Sequence, residues 1–284
     1  MTGAVLILGA SGAVGRGLVA AALAAGHPVL ASGRDPARLQ QLQAAFPAAD
    51  LVLVEGSVAT EARAQALAAA VRALNRPLAG VLVAIRGTAR RSRLLEAAPG
   101  ALRASLDGDL QPHLFAARAL LPLLATAGGG GYVVVGGPAT TRPWAGYGTT
   151  AIAAAGLQML VRVLHEESFS DAVRVQMLLV DKPARTADNS PDACPQWPCV
   201  QAIGDAAVAL LERRDPAATK RAVVPFLAPH AAPAMAPAAQ VPGAVSAADG
   251  TTPLIASATA QRCLADARAF LGRLLVSPPQ EPTS

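Results

Sequence analysis

The feature that most constrains this chain is its beginning. Ala4-Val5-Leu6-Ile7-Leu8 is an unbroken apolar run, and it passes directly into Gly9-Ala10-Ser11-Gly12-Ala13-Val14-Gly15, after which the pattern turns helical. Small residues let a strand turn sharply into a helix. The first helical N–H groups and the positive end of the helix dipole then stay open to a pyrophosphate. A glycine string alone is a weak signal. Between a strand and a helix, at the head of a βα series, it reads as a dinucleotide loop whose lining is Gly9, Ser11, Gly12, Ala13, Val14 and Gly15. The plain alternative is a tight βα turn with no ligand.

The rest of the chain continues that series. Short β-rich runs near residues 4–8, 28–32, 51–54, 80–85, 131–136, 174–180 and 222–227 alternate with amphipathic stretches near 13–25, 36–46, 59–74, 101–125, 147–168 and 201–213. Such alternation predicts βαβ units around a parallel sheet. Asp35 is placed to cap the helix that opens at Pro36, Gly26 to close the first helix, and Gly128 to Gly131 to separate the long fourth helix from its strand. The composition changes after Leu227. We therefore expect a domain over residues 1–227, a Pro/Ala-rich loop or linker over 228–256, and a C-terminal helix over 257–276. That helix carries Ala260, Cys263, Leu264, Ala267, Phe270, Leu271 and Leu274 at helical spacing, and a disordered tail is expected over 277–284.

Composition excludes several classes. With 284 residues, 52% hydrophobic and 15% charged, the chain has enough apolar material for a buried core and is not disordered as a whole. Its apolar runs are too short to cross a bilayer and its start does not resemble a secretory signal, so no membrane association and a cytoplasmic location are the expectations. The 24 basic against 19 acidic residues reflect arginine, since Lys182 and Lys220 are the only lysines. Those arginines are scattered singly among few aromatics, so no nucleic-acid partner is expected. Cys194-Pro-Gln-Trp-Pro-Cys199 has no second ligand pair, so we expect no metal site and free thiols.

The end of the second strand bears on the cofactor. In dinucleotide-binding units an acidic residue there bonds the ribose 2′-hydroxyl, whereas an arginine suits a 2′-phosphate. Here the strand ends in Gly33-Arg34, and Arg16 stands beside the glycine loop, which points to NADP(H). Asp35 comes one place late and reads as a cap, with NAD(H) as the alternative.

These motifs together resemble the short-chain dehydrogenase/reductase family, over about residues 3 to 227. The glycine spacing is similar to its extended or atypical branch. Other matches are Gly33-Arg34-Asp35-Pro36, Gly87 closing the fourth strand segment, Leu120-Leu121-Pro122-Leu123-Leu124, and Tyr147 about a dozen residues after the fifth strand. The resemblance implies an α/β, Rossmann-like fold: a doubly wound parallel seven-stranded sheet with helices on both faces, here with a C-terminal helical extension. It also implies a homodimer or homotetramer built on the fourth and fifth helices.

The family's catalytic set is Asn, Ser, Tyr and Lys, and only Tyr147 keeps its identity. The lysine position holds Ala151, and the serine falls on Gly136-Gly137, with Thr140 and Thr141 just beyond. The asparagine aligns with Asp109. The family's Asn-Asn-Ala-Gly reads Ala84-Ile85-Arg86-Gly87, which carries Ala84 into the cofactor set, and its Pro-Gly reads Val180-Asp181-Lys182-Pro183. By this resemblance Tyr147, Asp109 and Lys182 are the catalytic candidates. Lys182 would supply from another element part of the charge lost at Ala151, and Tyr147 would also touch the cofactor.

The substrate candidates are Arg86 and Arg90, in an arginine-rich loop with Arg91 and Arg93 that suits a carboxylate or a carrier-bound phosphate, and Trp197 in the variable loop before the last helix. His113 lies one helical turn after Asp109, so the two could pair as acid and base, or His113 could be structural. An unassisted tyrosine titrates near about 10, so alcohol oxidation would suffer more than carbonyl reduction. The expectation is an NADP(H)-dependent reductase of a small or carrier-bound carbonyl or enone compound, possible in secondary metabolism, with an altered active site. The alternatives are a catalytically silent NADP(H) sensor or scaffold, and a redox-neutral dehydratase, isomerase or cyclase.

Overall fold

The computed structural model describes residues 3–88, 91–168, 172–191, 193–214 and 216–227. The proposed linker, C-terminal helix and tail, and Arg90 in the arginine loop, lie outside them. Seven strands, β1 (Ala4–Leu8), β2 (Val29–Gly33), β3 (Leu51–Glu55), β4 (Leu78–Val83), β5 (Gly130–Gly136), β6 (Val173–Leu179) and β7 (Val223–Pro225), form one sheet in the order β3-β2-β1-β4-β5-β6-β7. Every pairing is parallel. The sheet order reverses between β1 and β4, and in such folds ligands bind beyond the carboxyl ends of the strands at that switch point.

The helices are α1 (Ala13–Ala24), α2 (Pro36–Ala44), α3 (Glu61–Ala73), α4 (Ala101–Asp109), α5 (Gln111–Thr126), α6 (Gly148–Glu167), α7 (Val200–Leu211) and the short α8 (Pro216–Thr219). The two faces of the sheet follow the period of two along each strand. Ala4, Leu6 and Leu8 of β1 join Val81 and Val83 of β4 and Tyr132 and Val134 of β5 in the layer beneath α3, α5 and α6. Val5, Ile7, Leu82 and Val133 point the other way, into the layer beneath α1, α2 and α7. Each fully buried Leu, Ile or Val side chain there contributes roughly 1.5–3 kcal/mol. As expected, Asp35 caps α2 by accepting the Arg38 N–H at 3.2 Å, and Gly26 leaves α1 with φ +80°.

The expected long fourth helix is two helices. A continuous helix through residues 101–125 would drive the ring of Pro112 into the carbonyl of Gly108, four residues earlier. The chain instead breaks at Leu110, whose φ and ψ are −115° and −55°, and Pro112 sits in the first turn of α5 where it needs no N–H. Two strands also end sooner than their apolar runs suggest. β4 stops at Val83, so Ile85 to Gly87 form a loop, and β7 is reduced to Val223–Pro225.

The edge formed by β6 and β7 is held by buried polar side chains. Arg174 donates from Nε to Gln176 Oε1 at 2.7 Å and from Nη2 to the carbonyls of Leu210 and Leu211 at 3.0 and 2.8 Å, which caps the end of α7. Gln176 donates in turn to the carbonyls of Ala218 and Arg221 at 2.8 and 2.6 Å. Burial and the neighbouring Arg213 push the Arg174 guanidinium down to about 10, so it keeps its charge at neutral pH.

α1 and α7 touch through backbone. A Cβ on Gly17 would run into the Val200 carbonyl, and one on Gly204 into the Gly17 carbonyl. Neither obstacle is a flexible side chain, so Gly204→Ala should force the helices apart at a cost of roughly 2–3 kcal/mol. Thermal unfolding should show this as a fall of about 5–10 °C in Tm. An unchanged Tm would mean that the helix contact is looser than described.

Candidate active site

Parallel strands place all their carboxyl ends on one edge of the sheet, and every expected site residue within the described part of the chain comes from a segment that leaves that edge. The loop after β1 is shaped by close approach. Gly9 has φ +76°, and a Cβ on it would lie 2.5 Å from the Ala84 carbonyl oxygen, while one on Gly15 would collide with the Gly9 carbonyl. No side chain caps α1 at Gly12. The N–H groups of Ala13, Val14 and Gly15 belong to the first turn and have no intrahelical acceptor, so they are open to an anion. The loop is steadied by Arg16, whose Nε donates to the Ser11 carbonyl at 3.3 Å. A glycine cradle with uncapped helical N–H groups fits a pyrophosphate.

Beside it lies a cavity of about 580 Å3 lined by Arg34, Glu55, Gly56, Ser57, Arg63, Ala66 and Leu67. Gly33 pairs in register with Glu55, which brings the ends of β2 and β3 together. The Ser11 hydroxyl reaches the same corner, 3.3 Å from where a Cβ of Gly33 would stand. Glu55 and Arg63 were missed in the sequence. The acidic residue was sought only at the end of β2, whereas the carboxylate nearest Arg34 in this cavity comes from the next strand. Arg63 reaches it from the first turn of α3, where Thr60 accepts its N–H at 3.3 Å.

At the far side of the switch point, Tyr147 precedes α6, half-buried, with its N–H on the Trp144 carbonyl at 3.0 Å. Its ring meets that of Trp144 edge-on, centroids 6.3 Å apart and planes at 72°. Ala151 stands one turn on, its N–H on the Tyr147 carbonyl at 2.9 Å. Gly136 ends β5, and a Cβ on Gly137 would meet nothing within 4 Å. Thr140 is buried in the turn that follows. Trp144, rather than Trp197, is the tryptophan in contact with Tyr147. The signal was available, three residues before the tyrosine.

Asp109 reaches the site because the helix breaks after it. Its Oδ1 accepts the Gly87 N–H at 2.7 Å, which fastens the loop leaving β4 to the end of α4. Ala84 lies against Gly9 in that loop, and Arg86 points to solvent. The acid–base pair considered for Asp109 and His113 does not form. The carboxylate is turned to Gly87, and the buried His113 ring has no side-chain partner and only a marginal approach to the Ile85 backbone, short of hydrogen-bond geometry. Burial pushes the His113 imidazole down to about 4, weakly opposed by the Ile85 backbone. Lys182 is exposed on the bend after β6, and among the described residues no hydrogen bond or ion pair joins it to Tyr147. Its neighbour Asp181 pairs with Arg142 at 3.2 Å, joining the loops that follow β5 and β6.

The variable loop is ordered by its own contacts. Thr186 and Asn189 exchange backbone-to-side-chain bonds at 2.7 and 3.3 Å, and Asn189 also donates to the Ala184 carbonyl at 3.0 Å. Trp197 is half-buried in a turn closed by its N–H on the Cys194 carbonyl at 2.9 Å. Cys194 and Cys199 are both free thiols, and Cys199 Sγ accepts the Ala202 N–H at 3.5 Å to cap α7.

Comparison with known proteins places this geometry. The pattern of the short chain dehydrogenase family matches residues 3–181. A short-chain type dehydrogenase/reductase from Mycobacterium ulcerans superimposes with a TM-score of 0.70 at 20% identity, over 79% of this chain and 89% of its own. A gluconate 5-dehydrogenase from Burkholderia cenocepacia, solved with NADP and tartrate, gives 0.71 at 16% identity over 79% and 94%. An NADPH-bound short chain oxidoreductase from Pseudomonas aeruginosa, described as containing an atypical catalytic center, gives 0.67 at 22% identity over 78% and 95%. The sequence matches none of the curated proteins.

The buried His113 generates a prediction of its own. Its lowered pKa means that the unfolded chain takes up a proton the folded chain refuses, so stability is complete above about pH 6.5 and falls as the pH drops towards 4. Denaturant midpoints at pH 7 and pH 5 should therefore diverge less in His113→Leu than in the parent. Equal divergence would show that His113 does not titrate as its burial requires.

Proposed function

The chain belongs to the short chain dehydrogenase family, and from that premise we propose that it is an NADP(H)-dependent reductase of a carbonyl or enone compound, with Tyr147 as proton donor. The observation that carries this reading is the preserved edge of the sheet. The glycine cradle, the arginine-lined cavity and Tyr147 all open on it, while the positions that would make Tyr147 a base hold Ala151 and Gly137.

In this reading the N–H groups of Ala13, Val14 and Gly15 hold the pyrophosphate. Ser11, Arg34 and Arg63 hold the 2′-phosphate of the adenosine half. When bound, the nicotinamide supplies a hydride. Tyr147 gives its hydroxyl proton to the carbonyl oxygen, a task that does not need the missing lysine. Asp109 touches the Gly87 N–H and so fixes the loop that leaves β4, which makes it a positioning residue. Lys182 follows β6 on the same edge and adds positive charge near the nicotinamide end.

Tyr147→Phe should retain NADPH affinity and lose about 10²–10⁴-fold in NADPH-driven reduction across a panel of ketones, aldehydes and enones. Gly137 has open space above it. Gly137→Ser combined with Ala151→Lys should accordingly raise turnover at least ten-fold by restoring a hydroxyl and a cation beside the same tyrosine. A Tyr147→Phe enzyme as fast as its parent would remove this chemistry and leave the redox-neutral reading. NADPH binding with no consumption by any variant would leave the sensor.

Cofactor choice is tested separately. Glu55 shares the cavity with Arg34 and Arg63, and its charge favours a ribose diol where theirs favour a phosphate. Two guanidinium groups against one carboxylate should make NADPH bind at least several-fold tighter than NADH in a fluorescence titration. Arg34→Ala should reduce that ratio towards one, and an undiminished ratio would show that Arg34 does not contact the phosphate.

A further inference from the structure

The segment Arg91 to Leu94 runs beside Tyr147. Ser92 and Tyr147 form a parallel bridge, with the Ser92 N–H on the Gly146 carbonyl at 2.9 Å. The glycines on either side of the tyrosine leave room for this segment. Arg91 lies over Gly146, its Cγ and Nε 3.3 and 3.4 Å from where a Cβ would be, and the Cβ of Leu94 lies 3.1 Å from the same point on Gly148. Gly146 has φ +84° besides, a conformation that disfavours any side chain there. The Arg91 side chain thereby lies over the residue that precedes Tyr147.

The neighbouring arginines of this surface are matched by carboxylates: Arg93 by Glu96, Arg103 by Asp107, Arg118 by Glu61 and Arg142 by Asp181. Among the described residues Arg91 has no such partner, nor has Arg86 of the same loop, but only Arg91 lies beside Tyr147. The exposed Trp144 ring, edge-on to Tyr147, and the exposed Leu94, against Gly148, present apolar surface beside it. Tyr147 is therefore flanked by an arginine side chain and by exposed apolar ones.

We propose that Arg91 anchors an anionic group of the substrate, so that the compound reduced at Tyr147 is an apolar carbonyl compound carrying a carboxylate or a phosphate ester. This rests on the reductase reading above, and it narrows the arginine-rich loop to the one member that the bridge brings to the tyrosine. A guanidinium recognises either anion through paired N–H donors, an arrangement that glutamine does not reproduce.

The test uses the full chain saturated with NADP+, which binds without turnover, and three probes: benzoylformate, its methyl ester and phenyl phosphate. Calorimetry should show benzoylformate binding at least ten-fold tighter than the ester. Arg91→Gln should abolish that difference and leave ester and NADP+ affinities unchanged, and Arg91→Lys should restore part of it. Phenyl phosphate distinguishes a phosphate-ester site from a carboxylate site by which anion binds more tightly. Equal affinity for acid and ester, or a preference that survives Arg91→Gln, overturns the proposal. Failure of the two readings is distinguishable with NADPH in place of NADP+. Benzoylformate held through Arg91 but never reduced keeps the anion site and removes the reductase, whereas reduction of the ester without preference for the acid does the reverse.

Discussion

Backbone-to-backbone contact along α1 is the constraint on which the rest of the molecule depends. Gly9 lies against the carbonyl of Ala84, Gly15 against that of Gly9, Gly17 against that of Val200, and Gly204 against that of Gly17. Each contact is closer than any side chain allows. Together they set the start of α1 beyond β1, the exit of β4 beside it, and the start of α7 behind it. The uncapped N–H groups of α1, the loop fastened by Asp109 and the variable loop that leads into α7 are thus referred to one helix, so an error in one would be transmitted to the others.

The site built on this frame separates cofactor binding from proton transfer. On one side stand a glycine cradle and an uncapped helix, with Arg34 after β2 and Arg63 in the first turn of α3. Across the switch point Tyr147 stands with Ala151 one turn on and Gly137 after β5. Asp109 illustrates how a changed residue still serves the fold: as a carboxylate it can only accept, and it accepts the N–H of Gly87. The chain's positive charge is also unevenly engaged. Some arginines are bound to carboxylates, Arg174 is buried as a cap on α7, and Arg34 and Arg63 line the cavity at the ends of β2 and β3.

Much of the fold was legible because strand and helix periods dominate the sequence. The apolar runs located all seven strands to within a few residues, and Asp35-Pro36 located a capped helix start correctly. The errors were of one kind. Periodicity carries the fourth helix across Leu110, where Pro112 disfavours a continuous helix, and it carries β4 past Val83. Helical spacing put His113 and Asp109 on one face, but the break between α4 and α5 turned the carboxylate away to Gly87 and left the imidazole buried.

What the sequence determined by itself is the order of elements, the direction of the sheet and the glycine loop, because each depends on residues close together in the chain. Tyr147, Ala151 and Gly137 could likewise be read in place from local spacing. Tertiary structure alone decided which distant groups meet. Glu55 shares a cavity with Arg34 because β3 pairs with β2, and Arg91 lies over Gly146 because Ser92 bridges to Tyr147. Trp144 turns its ring onto Tyr147 in a loop with no periodic pattern. Such neighbours are created by strand register and loop packing, which act between segments far apart in the chain and leave no repeating mark within any one of them.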